Sequence, residues 1–196
     1  MTRTGRPRGF DERHVVSGAK DMFWRRGYAA VSLRELATEL GVLPGSLYAA
    51  LGNKHDLYLR ALHDYVEDTR AAAAALASQR SPLAAVRTLL GNVLDAAVTD
   101  PGRGCMLGNT AAELLPNDES ARKIVRSGLH VLETGIEQAL REAQRAGEIR
   151  DDIDCAARAD LLVVLLQGLH ITARAESEPH RLHQVIDTML DSMTSS

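Results

Sequence analysis

The sequence predicts an all-α fold: an N-terminal three-helix, helix-turn-helix head followed by a C-terminal helical domain, about nine helices in all. Three observations predict it. Apolar residues recur at the i, i+3, i+4 spacing of a helix face and nowhere in strict alternation. Helix starts and stops crowd into "SLRELATELGVLPGSLYAALGNK", residues 32–54. All seven aromatic residues lie between Phe10 and Tyr65, so the two parts of the chain are built differently.

The elements follow in order. Asp11 caps a first helix whose Val15, Val16, Ala19, Met22 and Phe23 share a face, and Gly27 ends it. Ser32 and Glu35 have the spacing of a capping box for a second helix, which carries Leu33, Leu36, Ala37 and Leu40 and stops at Gly41. Pro44 suits the first position of a short third helix, because its missing N–H would be orphaned there anyway. Gly52 breaks that helix, and Asn53 caps a fourth that runs from Lys54 through "RAAAAALA". A fifth helix starts near Ser81, residues 101–104 form a loop, and a sixth begins at Cys105 and ends near Pro116. A long seventh helix runs from Asp118 to about Gly147. Asp154 caps the eighth, and Leu182, Val185, Ile186, Met189, Leu190 and Met193 line one stripe of the last. Residues 1–60 and 61–196 are the expected domains.

Composition narrows the function. No apolar run approaches the ~20 residues of a bilayer span, and the start of the sequence lacks the apolar core of a secretory signal. No membrane partner is expected. Two cysteines, Cys105 and Cys155, make no disulfide framework, so a cytoplasmic location is expected. Residues 1–60 hold ten Lys/Arg against six Asp/Glu, and the rest thirteen against twenty. A basic head on an acidic body suits a polyanion-facing end. No nucleophile elbow, P-loop, HExxH or dinucleotide glycine motif is present, so neither an enzyme nor a cofactor is expected.

Two short helices joined at "LGV" fit a helix-turn-helix, whose second helix enters the major groove. Arg34 and the amides that open the second helix suit one phosphate, and Lys54 suits another from the other side. Tyr48 offers a ring for packing and a hydroxyl for a phosphate. The arm "RTGRPRGF" reads equally as a minor-groove contact or a basic tail.

With its Ser-Leu-Arg-Glu-Leu-Ala, Leu-Gly-Val, Leu-Tyr and Lys-before-Leu pattern, "SLRELATELGVLPGSLYAALGNKHDLYL" resembles the TetR/AcrR transcriptional regulators. The nine-helix layout agrees along the whole chain. Carried over by position, Ser32, Arg34, Ser46, Tyr48 and Lys54 are the implied DNA contacts, with Pro44 and Gly45 allowing close approach. Leu43 stands where the family has a Ser or Thr cap, and Ala49 and Ala50 replace bulkier residues. The reading surface is therefore poor in hydrogen-bonding groups. The resemblance implies a homodimeric repressor that binds an inverted repeat in double-stranded DNA and is released by a small-molecule effector. Two readings stay open beside it: a ligand-independent or activating regulator, and a helical interaction module that has lost specific DNA reading.

The remaining expectations concern the body. Pocket candidates are Leu94, Met106, Leu107, Asn109, Thr110, Glu113, Leu129, Leu132, Ile136, Gln167, His170 and Ile171. With no Phe, Tyr or Trp beyond Tyr65, such a lining is aliphatic with a few polar groups, and only Tyr58 and Tyr65 can add an aromatic wall. Its alternative reading is a dry core. Trp24 is expected in the head, away from the pocket. Cys105 opens a helix after a Gly-rich turn and is a redox-sensor candidate, although most free cysteines are packing residues. His180 and His183, near Glu178 and Asp187, have metal-ligand spacing, but exposed histidines at a helix start are the commoner case, and no metal is expected. The row Leu161–Leu166 predicts a helix buried all round. Pairing it and the last helix with their copies gives a four-helix bundle, the arrangement the resemblance implies, with Leu161, Leu165, Leu182, Val185, Ile186 and Met189 at the interface.

Overall fold

The computed structural model describes residues 11–100, 103–175 and 179–194. The basic arm at residues 3–10, with Phe10, and Glu178 lie outside the described residues. Within them the chain forms nine helices and no strand. These are α1 (Glu12–Arg26), α2 (Leu33–Glu39), α3 (Pro44–Leu51), α4 (Lys54–Leu76), α5 (Pro82–Thr99), α6 (Met106–Leu114), α7 (Glu119–Arg145), α8 (Cys155–Thr172) and α9 (Pro179–Asp191).

Side-chain caps set most of the starts. Asp11, Ser32, Asn53, Ser81, Asp118 and Asp154 each accept amide hydrogen bonds in the first turn of their helix. Between α2 and α3 the chain turns at Gly41, whose φ of 64° is left-handed, and the Val42 amide donates back to the Ala37 carbonyl at 2.9 Å. Leu36, Ala37, Leu47 and Leu51 then bury their side chains together with Val15, Ala19 and Phe23 of α1.

Helix α4 is the spine. Its 23 residues span about 35 Å, starting in the head and running along the body, where Ala73 and Leu76 are buried. Lys20 of α1 is bound to it by Asp64 at 2.7 Å and Asp68 at 2.5 Å. Burial alone would lower the Lys20 pKa, but the two carboxylates outweigh it and raise the pKa. In the body α4 lies close against α7. At Gly135 an added Cβ would come within 2.5 Å of the Ala73 Cβ and 3.1 Å of the Ala73 backbone, so only glycine lets the helices approach this far.

Two expectations about the C-terminal helices are corrected. Helix α8 is not buried all round: Leu162, Val163, Leu166 and Leu169 face the core, while Leu161, Val164 and Ile171 are 46%, 69% and 72% exposed. By length and composition alone α8 is apolar enough to cross a bilayer, but its inner face is packed inside the protein. On α9, Leu182, Ile186 and Leu190 are buried within the protomer, and α9 packs on α5. Arg87 of α5 pairs with Asp187 and Asp191 of α9 beside this contact. Leu182 and Ile186 are therefore core residues of one chain and are not free to form a seam with a second. The period of the stripe is right, but most of it closes the protomer's own core. Val185 and Met189 lie beside it, and with Leu161 and Leu165 they line an open apolar groove of about 510 Å³.

Candidate nucleic-acid interface and internal cavity

The head exposes three helix starts. At α2, Ser32 Oγ accepts from the Glu35 amide at 3.2 Å and Glu35 accepts from the Ser32 amide at 2.8 Å. Arg26 also donates to Glu35 at 2.8 Å. The Arg26 bond, then the two from Ser32, lower the Glu35 pKa to about 2. Arg34 stands beside this box, exposed. At α3, Leu43 occupies the cap position and makes no side-chain capping bond. Leu43 is 75% exposed and Tyr48 62% exposed, an unusual solvent display for large apolar groups. Pro44, Gly45 and Ser46 are exposed with them, while Leu47 and Leu51 anchor the other face of α3. At α4, Lys54 lies over the Tyr28 ring, 4.3 Å from its centroid, and its Nζ donates to the Ala29 carbonyl at 3.4 Å.

Behind these tips an aromatic seam joins head and body. Phe23 and Tyr28 both meet Tyr58 edge-on, at 4.9 and 4.8 Å between centroids. The Tyr58 hydroxyl lies 2.7 Å from Thr110 Oγ1, which itself donates to the Met106 carbonyl. Burial pushes the Tyr58 pKa up to about 12, so this hydroxyl stays protonated and donates. Glu113 of α6 accepts from the Tyr28 amide at 2.6 Å, and His55 bonds Asp118 at 2.5 Å. The end of α1 and the start of α4 are thus fixed to the end of α6 and the start of α7.

A cavity of about 400 Å³ lies between α1, α4, α5, α7 and α8. Its aromatic wall is Trp24 and Tyr65, in edge-to-face contact at 4.8 Å. Trp24 donates its indole N–H to the Gly104 carbonyl at 2.8 Å, and the Arg103 guanidinium stacks 3.8 Å from the Trp24 ring. Asn92, Cys105 and His170 supply further polar groups among aliphatic ones. A smaller alcove of about 100 Å³ adjoins it and shares Cys105 and His170, with Asn109, Gln167 and Arg174 on its walls. Burial, then the nearby Arg174 charge, lower the His170 pKa to about 4, so the ring is neutral near pH 7.

The candidates for the pocket are dispersed. Leu132 and His170 line the large cavity, and Asn109, Gln167, His170 and Ile171 line the alcove. Leu94, Met106, Leu107, Thr110 and Ile136 are instead fully packed core. Leu129 lines a shallow surface groove on α7, and Glu113 is used by the Tyr28 amide. Trp24 is not confined to the head: α1 crosses the body closely enough for it to form the cavity wall beside Tyr65, among mostly aliphatic groups. The indole N–H was the one available signal: a tryptophan in a short head needs a buried acceptor. Cys105 is buried and accepts from Gln167 Nε2 at 3.6 Å, with the Tyr65 hydroxyl 3.8 Å away. His183 bonds Asp95 at 3.0 Å. Among the described residues no three metal-ligating side chains gather.

Three exposed helix starts on a compact tripartite head, fixed to a helical body with its own cavity, define a one-component DNA-binding regulator. Comparisons with known proteins give the family. Residues 15–61 match the family described as Bacterial regulatory proteins, tetR family, and residues 82–189 match the Tetracyclin repressor-like, C-terminal domain. The chain belongs to the TetR family of transcriptional regulators. It is 28% identical to the HTH-type transcriptional repressor ComR of Escherichia coli K12, covering 95% of this chain and 90% of ComR. It is 32% identical to the repressor BdcR of the same organism, covering 94% and 88%. Among solved structures it resembles a cysteine mutant of the TetR-family regulator CifR complexed with 26-base-pair operator DNA. That match has a TM-score of 0.80 and 28% identity, and covers 96% of this chain and 100% of that one.

Proposed function

We propose that the protein is a cytoplasmic repressor that binds an inverted-repeat operator as a homodimer and is released by a small molecule. In this reading residues 1–60 hold the DNA and residues 61–196 hold the effector and the partner copy. Ser32, Arg34, Ser46 and Lys54 meet phosphates or base edges, while Leu43 and Tyr48 supply apolar contact in the major groove. Their exposure supports this, since it leaves both side chains at one helix free for contact. The groove lined by Leu161, Leu165, Val185 and Met189 takes a second copy across a two-fold axis.

The observation that carries the release mechanism is the place of Trp24. It belongs to α1 of the head, yet it forms the wall of the body's cavity. An occupant of that cavity therefore touches the head directly. A ligand that binds better when α1 has shifted favours the state whose two heads no longer match their half-sites. Titration of the DNA upstream of the protein's own gene, followed by fluorescence anisotropy, tests the DNA part. A saturable complex of one dimer per inverted repeat is expected, and binding no tighter than to random duplex would end the proposal.

A further inference from the structure

The cavity and its alcove have a charge pattern that selects among effectors. Among the described residues no Asp or Glu lines either chamber, while Arg103 stands in one and Arg174 in the other. His170 lines both. Two buried polar atoms here have no hydrogen-bond partner: Arg103 Nε and His170 Nδ1. The other commitments of these groups are partial. Arg103 Nη2 reaches Asp21 at 3.1 Å, and that carboxylate is 55% exposed. Arg174 Nη2 donates to Asn109 Oδ1 at 2.8 Å and is packed against Gly104. Apart from Thr69, Asn92 and Cys105, the rest of the large chamber is apolar, with Trp24, Tyr65, Leu89, Val93, Leu132 and Leu166 its largest groups.

A buried donor without an acceptor costs free energy, and a guanidinium retains all its donors at any ordinary pH. An occupant that brings acceptors to Arg103 Nε removes that cost. One that brings a positive charge meets Arg103 and Arg174 with no carboxylate on the walls to offset it. One that is wholly apolar leaves both orphaned atoms as they are.

We propose that the effector is an amphiphilic monocarboxylic acid. Its apolar or aromatic body lies against Trp24 and Tyr65, and its carboxylate lies at the unpartnered Arg103 Nε and His170 Nδ1. Arg103 donates from Nε, and His170, in the tautomer with its proton on Nδ1, donates the second bond. This inference rests on the reading of the cavity as the effector site and adds the chemical class of what fills it.

The test uses the full-length protein and two matched series: 3-phenylpropionate, 3-phenylpropionamide and 3-phenylpropylamine, and octanoate, octanamide and octylamine. Trp24 is the only tryptophan, so its emission reports the cavity wall without labelling. Each compound is titrated against that emission and against thermal stability. In at least one series the acid is expected to bind at least tenfold more tightly than its amide, with the amine weaker still. Arg103→Met and Arg174→Met should each erase most of the acid-over-amide preference while leaving amide binding within a few-fold. Ala96→Phe, at a cavity-lining position exposed enough to accept the change, should block every member. An amide or amine that binds as tightly as its acid in both series overturns the proposal. So does a failure of both acids to change Trp24 emission or melting temperature at millimolar concentration. DNA release separates this from the functional reading. An acid that binds through Arg103 but leaves DNA affinity unchanged upholds the ligand class and sinks the release mechanism. Release by neutral or cationic members alone does the reverse.

Discussion

Trp24 and Gly104 are 80 residues apart in sequence, and the indole N–H of one donates to the carbonyl oxygen of the other at 2.8 Å. This bond fixes the last turn of α1 to the turn that precedes α6. It also orients the Trp24 ring so that Arg103 covers one side and Tyr65 meets it edge-on. One residue thus belongs to the head, closes the cavity and holds the turn on which the cavity's cation sits.

Replacing Trp24 by Phe keeps a ring but removes the donor. The Gly104 carbonyl then loses its partner, and the protein should lose about 1–2 kcal/mol of stability. Urea unfolding reads this as a lower midpoint at unchanged slope. An unchanged midpoint would show that the bond contributes nothing, and with it the proposed link between cavity and head.

Arg34 and Lys54 are assigned to phosphates, so Arg34→Ala and Lys54→Ala should weaken binding to all duplexes alike. Each should reduce the slope of log affinity against log salt by about 1. The two differ in the free protein. Lys54 lies over Tyr28, and its loss should also cost about 0.5 kcal/mol of stability; Arg34 stands exposed with no such contact. A variant that changes sequence preference at constant salt slope contradicts its phosphate assignment.

Leu43 leaves α3 without a side-chain cap. Leu43→Ser should therefore stabilise the protein by about 1 kcal/mol, seen as a rise in melting temperature. If apolar contact by Leu43 matters to DNA reading, the same variant should bind the operator less tightly while melting later. A variant that melts no later than the original would mean that another group already satisfies the α3 amides.

The elements were legible in the sequence because their signals are local. A cap such as Ser32 with Glu35, a proline at the first position of α3, or a glycine at Gly41 acts within a few residues of itself. The cavity was not legible in this way. Its lining joins Trp24, Tyr65, Arg103 and His170, which only the crossing of α1, α4, α8 and the turn before α6 brings together. The aromatic bias toward the N-terminal third was visible, but its meaning was not. Phe23, Tyr28 and Tyr58 are the seam between head and body, and Trp24 and Tyr65 are the cavity wall. Periodicity likewise located the stripe on α9 without telling which apolar surface it would cover. A helix packed on its own chain and one packed on a copy have the same pattern.

That ambiguity has a direct test. Ile186 is 2% exposed and belongs to the protomer's core, so Ile186→Asp should unfold the chain by burying an unpaired charge, at a cost of several kcal/mol. Val164 is 69% exposed on the outer face of α8. Val164→Asp should leave the helical circular dichroism intact and shift sedimentation from dimer to monomer. A Val164→Asp protein that stays dimeric at micromolar concentration would move the interface away from α8.

The last prediction concerns His170 and pH. Burial, with the Arg174 charge second, lowers the folded-state pKa to about 4 from 6.5. Between those values the unfolded chain binds a proton at this residue and the folded chain does not. Stability therefore rises with pH across this window and falls as the solution is acidified through it. The loss from this residue should total on the order of 2–3 kcal/mol by pH 4, where the folded protein begins to take up the proton too. His170→Gln cannot titrate, and its stability between pH 7 and 4.5 should decline less than that of the unaltered protein by about that amount. The carboxylates titrate alike in both proteins, so the comparison isolates the imidazole. Asp118 among them has its pKa lowered, first by the Ala121 amide and then by His55, so its contribution is lost only at lower pH. Parallel urea-derived stability curves for the two proteins would show that His170 is solvated in the folded state, and the polar junction between cavity and alcove would then have to be redrawn.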